Sequence, residues 1–160
     1  MIKKKFILII FSLLLTNASF AAGSGGAGDD NSVKKLQDPK TRAYKVIDKA
    51  KKLEKKGKIK KAKIKFEKAL DHFLKANAED PANPDILNYL GLCSEKLGFD
   101  ENAEIYYLLG LELNDQHNSI KYNLGVFYKN QNRISDSKEI LNSLKNCGCE
   151  EYENLKMYIN

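Results

Sequence analysis

The chain has 160 residues and a formal net charge of +6, a length that holds one domain once non-structural ends are set aside. That charge is a balance of opposed halves: Lys34 to Lys75 holds 17 basic and 5 acidic residues, a net +12, and Ala76 to Asn160 holds 7 basic and 14 acidic, a net −7. A uniformly basic nucleic-acid binder is therefore excluded, and the lysine-rich stretch lacks the interleaved aromatics that would stack bases.

Residues 1–21 combine Lys3, Lys4 and Lys5 with an apolar run from Phe6 to Leu15 and small residues at Ser19 and Ala21. This predicts a cleaved secretory signal peptide, because the apolar run is about half the roughly 20 residues that a membrane span needs. No cysteine follows the cut, so a lipid-anchored form is not expected. The reading places the mature protein in an oxidising compartment, the bacterial periplasm. Residues 22–42 carry loose glycines and short polar residues without apolar periodicity and read as a disordered linker. From Ala43 onward the apolar spacing is helical, with no alternating run long enough for a strand, so the fold is expected to be all-α.

Two segments coincide at an offset of 34 residues: Ile86 on Ile120, Leu90 on Leu124, Gly91 on Gly125, Ala103 on Ser137. An earlier segment coincides at an offset of 41, with Gly57 on Gly98, Ala62 on Ala103 and Phe66 on Tyr107. The seven extra residues, about two helical turns, predict a longer second helix in the first unit. Three units follow, at 43–83, 84–117 and 118–149. In the middle one Asn83 suits an N-cap, Pro84 the first helical position and Asp85 the positive end of the helix dipole. Gly98 suits a left-handed C-terminal cap, and Asp100 is the expected cap of the next helix. That helix is apolar on most sides, with Ile105, Leu108, Leu109, Leu111 and Leu113, and is expected to be buried between neighbours. Residues 150–160 place Tyr152, Leu155 and Ile159 on one stripe and read as a capping helix.

The period, with Leu87, Leu90, Gly91, Gly98, Ala103, Tyr107 and Gly110 at their spacings, resembles the tetratricopeptide repeat. The resemblance implies an α-solenoid of about three helix-turn-helix repeats plus a C-terminal capping helix. It gives Gly91 and Gly125 a purpose despite the cost of glycine inside a helix. They are expected to face Ala103 and Ser137 where two helices cross closely.

The resemblance also implies a concave groove that binds a peptide or protein partner. Carried onto this sequence, its positions are Tyr44, Ile47 and Lys51 in the first unit, Asn88, Leu92, Glu95 and Lys96 in the second, and Tyr122, Asn123, Val126 and Lys129 in the third. The family's clamp for a terminal carboxylate is built of lysine and asparagine; here Ile47 and Lys51 stand at its first positions and Ser119 at a later one, which disfavours that ligand. A solvated helix face is the plain alternative. The lysines of 58–68 likewise form either a solvated surface or a face for anionic lipid headgroups or an acidic partner.

Cys93 sits mid-helix where Phe127 stands 34 residues later, which predicts a buried apolar role. Cys147 and Cys149 flank Gly148 and could close on each other, in a loop too small to stabilise much. Pinning of the last helix, thiol redox cycling and metal binding all remain open, the last short of ligands. Cys147, Cys149, Glu150, Glu151, Tyr152 and Leu155 also resemble the end of small exported repeat proteins of Gram-negative bacteria. No phosphate loop, zinc-helix motif or nucleophile elbow is present, and His72 and His117 read as structural or solvated. No enzyme, cofactor or metal is therefore expected. The sequence points to a non-enzymatic interaction module in cell-envelope assembly or maintenance, with a thiol redox function or a membrane-surface adaptor as alternatives.

Overall fold

The computed structural model describes residues 38–160; the expected signal peptide and most of the linker lie outside them. The described residues form seven helices: α1 (Pro39–Lys55), α2 (Ile59–Glu79), α3 (Pro84–Leu97), α4 (Asp100–Leu113), α5 (Asn118–Asn130), α6 (Ile134–Ser143) and α7 (Glu150–Ile159). Helix α1 begins inside the stretch read as linker. Asp38 caps it by accepting from the Thr41 backbone N–H at 2.8 Å, and Pro39 occupies the first turn.

The helices pair as α1/α2, α3/α4 and α5/α6, and each pair packs on the next, with α7 closing the stack against α5 and α6. Each hairpin turns through a residue in left-handed conformation at one repeat position: Gly57 (φ 67°), Gly98 (φ 83°) and Asn132 (φ 59°). After each, a backbone N–H reaches back to close the helix end: Lys58 to Leu53, Phe99 to Ser94 and Arg133 to Tyr128, at 2.8 to 3.0 Å. Asparagine is among the few non-glycine residues that visit this region readily. The expected length of α2 is found, as are Asn83 as the α3 cap and Gly98 as its terminator.

Three expectations are corrected. Helix α4 is capped at Phe99 without a side-chain bond, and Asp100 is already its first helical residue. Its apolar surface is not enclosed: Ala103, Tyr107 and Gly110 are buried, while Ile105, Leu108, Leu109 and Leu113 stay about half exposed. A hydropathy pattern marks apolar positions, and α4 has packing partners on one side only. The third concerns Gly91. Tyr107, one turn beyond Ala103, fills the space beside it, and a Cβ at position 91 would lie 2.6 Å from the Tyr107 ring. At Gly125 the packing is shared: Ser137 donates from its hydroxyl to the Gly125 carbonyl at 2.8 Å, and Leu155 of α7 occupies the space above the glycine.

The core runs along the stack in three linked clusters, around Phe66, Phe73 and Leu90 in the first units, Tyr107 and Phe127 in the middle, and Leu144, Leu155 and Ile159 at the end. Cys93 is fully buried, and desolvation pushes its thiol up to about 12, which leaves it inert as the apolar reading expects.

Candidate binding groove

The first helices of the three units and α7 enclose a polar hollow of about 310 Å³. Lys51 borders it from α1, Asn88 and Tyr89 from α3, Ser119, Tyr122 and Asn123 from α5, and Glu150, Glu151 and Asn154 from α7. These positions follow from the helical period. On each first helix the buried residues recur three and four apart, and the hollow residues occupy the adjoining stripe.

Behind the Tyr89 side of the hollow stands an aromatic cluster. The Phe73 and Tyr89 rings stack at 5.1 Å, and Tyr44 meets both edge-on. Lys51 lies with its ammonium 4.9 Å from the Tyr89 ring centre. Desolvation pushes its pKa down, with Asp48 opposing the shift, and it has no carboxylate within ion-pair distance among the described residues. The floor is amide: Asn123 donates to Asn88 at 2.8 Å, joining α5 to α3. The far wall is acidic. Glu151 accepts from the Ser119 hydroxyl at 3.0 Å and Glu150 from Asn154 at 3.1 Å. The hollow thus has a cation at the α1 end and two carboxylates at the α7 end.

Of the eleven groove positions expected from the sequence, the structure brings Lys51, Asn88, Tyr122 and Asn123 together here. Tyr44 does not line the hollow but packs edge-on against Tyr89. The others serve packing. Ile47 is 1% exposed and belongs to the core, because α1 buries Ala43, Ile47 and Ala50 on one stripe. Leu92 packs on the same cluster. Glu95 is partly buried and accepts from the Tyr107 hydroxyl at 3.1 Å, while Lys96 pairs with Glu54 of α1 at 3.0 Å. Val126 lies against the α7 cluster, and Lys129 donates to the Ile159 carbonyl at 3.0 Å. The last two are lost to the groove for one reason: α7 continues the row of first helices and covers the end of α5.

Tyr89, Glu150, Glu151 and Asn154 are not among the groove positions expected from the sequence, and Ser119 enters there only as a clamp position. Tyr89 had a signal, since it stands 34 residues before Asn123. The α7 residues carry none, because a closing helix at the end of a stack gives no sequence signal of lining a groove. Cys147 and Cys149 are joined by a disulfide with Cα atoms 5.1 Å apart, immediately before α7. Both cysteines pack against the cluster of Leu144, Leu155 and Ile159. Among the described residues no group of three or more potential ligands could hold a metal.

No protein-family model matches the chain. No curated protein matches its sequence. Among solved structures it is similar to the second tetratricopeptide domain of human RPAP3, determined by NMR in complex with the HSP70 peptide SGPTIEEVD. The TM-score is 0.54 at 18% identity, over 76% of this chain and 97% of that one. The likeness shows the fold: an all-α solenoid of the tetratricopeptide type.

Proposed function

We propose that the protein is an exported interaction module whose hollow takes an extended polypeptide segment from a partner, within assembly or upkeep of the cell envelope. The observation that carries the reading is the polarity of the hollow. At one end Lys51 is half-buried and has no anionic partner among the described residues, Asn88 and Asn123 offer amide groups between, and Glu150 and Glu151 stand at the other end. Amide side chains match the donors and acceptors of a peptide backbone, and separated charges fix its direction. The segment that fits best lays an acidic group towards Lys51 and a basic side chain towards α7. The solved neighbour holds a peptide on the same fold, which supports the class of ligand and says nothing of its sequence. Export rests on the signal-like residues 1–21, and an oxidising compartment suits the Cys147–Cys149 pair.

Selection of peptides from a random displayed library on the purified protein tests this. Enrichment of peptides with a basic residue, and a reversal of that preference in Glu150→Lys/Glu151→Lys, are expected. Selected peptides that bind Tyr89→Ala/Asn123→Ala as well as the parent would show that the hollow is not their site.

A further inference from the structure

The side of the stack away from the hollow carries two patches that the groove does not use. On α2 the buried residues are Ala62, Phe66, Ala69 and Phe73, and Ile64 lies opposite them, 61% exposed, with Ile59 60% exposed at the helix start. Glu67 and Asp71, the latter paired with Lys75, share the Ile64 side, but lysines outnumber them: Lys60, Lys61 and Lys68 flank Ile64 and Lys63 lies between it and Ile59, all exposed. None of these four lysines has a carboxylate within ion-pair distance among the described residues. The start of α2 holds no acid and no side-chain cap, so the lysines oppose the helix dipole, an arrangement that lowers the stability of the isolated fold.

Helix α4 presents the inverse. Its exposed Ile105, Leu108, Leu109 and Leu113 lie opposite its buried Ala103, Tyr107 and Gly110. Its charges are Asp100, Glu101, Glu104 and Glu112, with no basic residue in the helix. Glu104 is engaged by Arg133, and among the described residues Asp100, Glu101 and Glu112 are exposed and have no ion pair. Large aliphatic side chains exposed beside unpaired charge mark an interaction site.

We infer that this face is a homodimer interface, in which α2 of one copy lies along α4 of a second and α4 of the first along α2 of the second. The occupant is a second copy because the charges are complementary: lysines predominate around Ile64 on one helix, and carboxylates frame the aliphatic residues of the other. Both are second helices of consecutive hairpins, so in a solenoid they share one side. A two-fold axis between them, parallel to the helices, brings each onto its complement in both directions at once. The contact is isologous and closes at two copies. The repeat register places Lys60 level with Glu101 and Ile64 level with Ile105, and a parallel pairing keeps those levels. An anionic bilayer would engage the α2 lysines and leave the α4 aliphatics exposed, so it accounts for half of the observation.

Sedimentation equilibrium of the protein, with Lys60→Glu/Lys61→Glu and with Glu101→Lys/Glu112→Lys, decides the matter. All four positions are exposed, so the variants retain their folds, as circular dichroism would verify. The parent is expected to dimerise, less tightly as salt rises. Either variant alone presents like charges across both contacts and should raise the dimer dissociation constant about tenfold or more. Mixing the two variants should restore dimers, because acidic α2 then faces basic α4 and basic α2 faces acidic α4. A parent that stays monomeric up to millimolar concentration overturns the inference. Dimers that persist in both variants, or a mixture that does not recover, also overturn it. Monomers whose pelleting with phosphatidylglycerol vesicles is abolished by the lysine changes alone would overturn it in favour of a lipid surface.

Discussion

The ring of Tyr107 fills the space that any side chain at Gly91 would need, with its Cε1 2.6 Å and its Cδ1 2.7 Å from where a Cβ would sit. The ring cannot step aside, because it is fully buried and its hydroxyl donates to Glu95 at 3.1 Å. Gly91→Ala should therefore destabilise by about 1 to 3 kcal/mol, despite the roughly 0.5 to 1 kcal/mol that alanine returns in a helix interior. Gly110→Ala is the control. There the obstructing atom is Cδ1 of Ile120, the end of a flexible side chain, and the change should cost less. Thermal denaturation of the two variants side by side checks the order.

Glu95 gives the fold a pH dependence with a definite sign. Desolvation raises its pKa above the usual 4.5, against the opposing pull of Lys96 and the hydrogen bonds from Tyr107 and Asn130. A carboxyl raised in the folded state holds its proton more tightly there than in the unfolded chain. Its contribution is most favourable below 4.5 and is lost as pH rises through the folded value. Glu95→Gln, which keeps an acceptor for Tyr107, should thus gain stability relative to the parent as pH rises from 4 to about 7. Urea midpoints of both proteins across that range measure the difference. A constant gap between them would exclude this role.

Arg133 ties α6 to α4 and α5. Its Nη1 donates to both Glu104 oxygens at 2.8 and 2.9 Å, its Nε donates to Asp136 at 2.6 Å, and its guanidinium lies 4.1 Å from the Tyr128 ring centre. Tyr128 donates to the same Glu104 at 2.9 Å. Such planar contacts are not matched by an ammonium. Arg133→Lys should lose most of what Arg133→Ala loses, about 1 kcal/mol after allowing for partial exposure. A lysine variant as stable as the parent in chemical denaturation would reduce the network to simple charge attraction.

The hairpins, the left-handed end of α3 at Gly98 and the length of α2 are legible because each depends on residues close in sequence. Gly57, Gly98 and Asn132 occupy one repeat position and make one turn. The partner of Gly91 was not legible. Periodicity put small residues on facing helices, but the reach of the Tyr107 ring is set by the helix crossing, which no local pattern encodes. The groove was half legible for the same reason. Lys51, Asn88, Tyr122 and Asn123 came from the repeat register, whereas Ile47, Leu92 and Val126 share that register and are drawn inward by packing. Aliphatic residues at a groove position cover the core when a neighbouring helix is close enough, as α7 is over Val126.

The Cys147–Cys149 pair bears on the hollow through α7. Glu150 and Glu151 follow the second cysteine directly, and α7 is otherwise held by Leu155 and Ile159, the Ser119–Glu151 bond, the Lys129–Ile159 bond and Tyr158 donating to Asn130 at 2.6 Å. Closing so short a loop removes little chain entropy, so Cys147→Ser/Cys149→Ser should lower global stability by less than about 2 kcal/mol. The local effect should be larger than the global one, because the last helix of a stack has neighbours on one side only. Amide exchange in Tyr152 to Ile159 is expected to quicken, while exchange in α3 and α4 stays unchanged. If the α7 amides exchange at the parent rate, the apolar contacts alone hold the helix and the disulfide has no part in shaping the acidic wall.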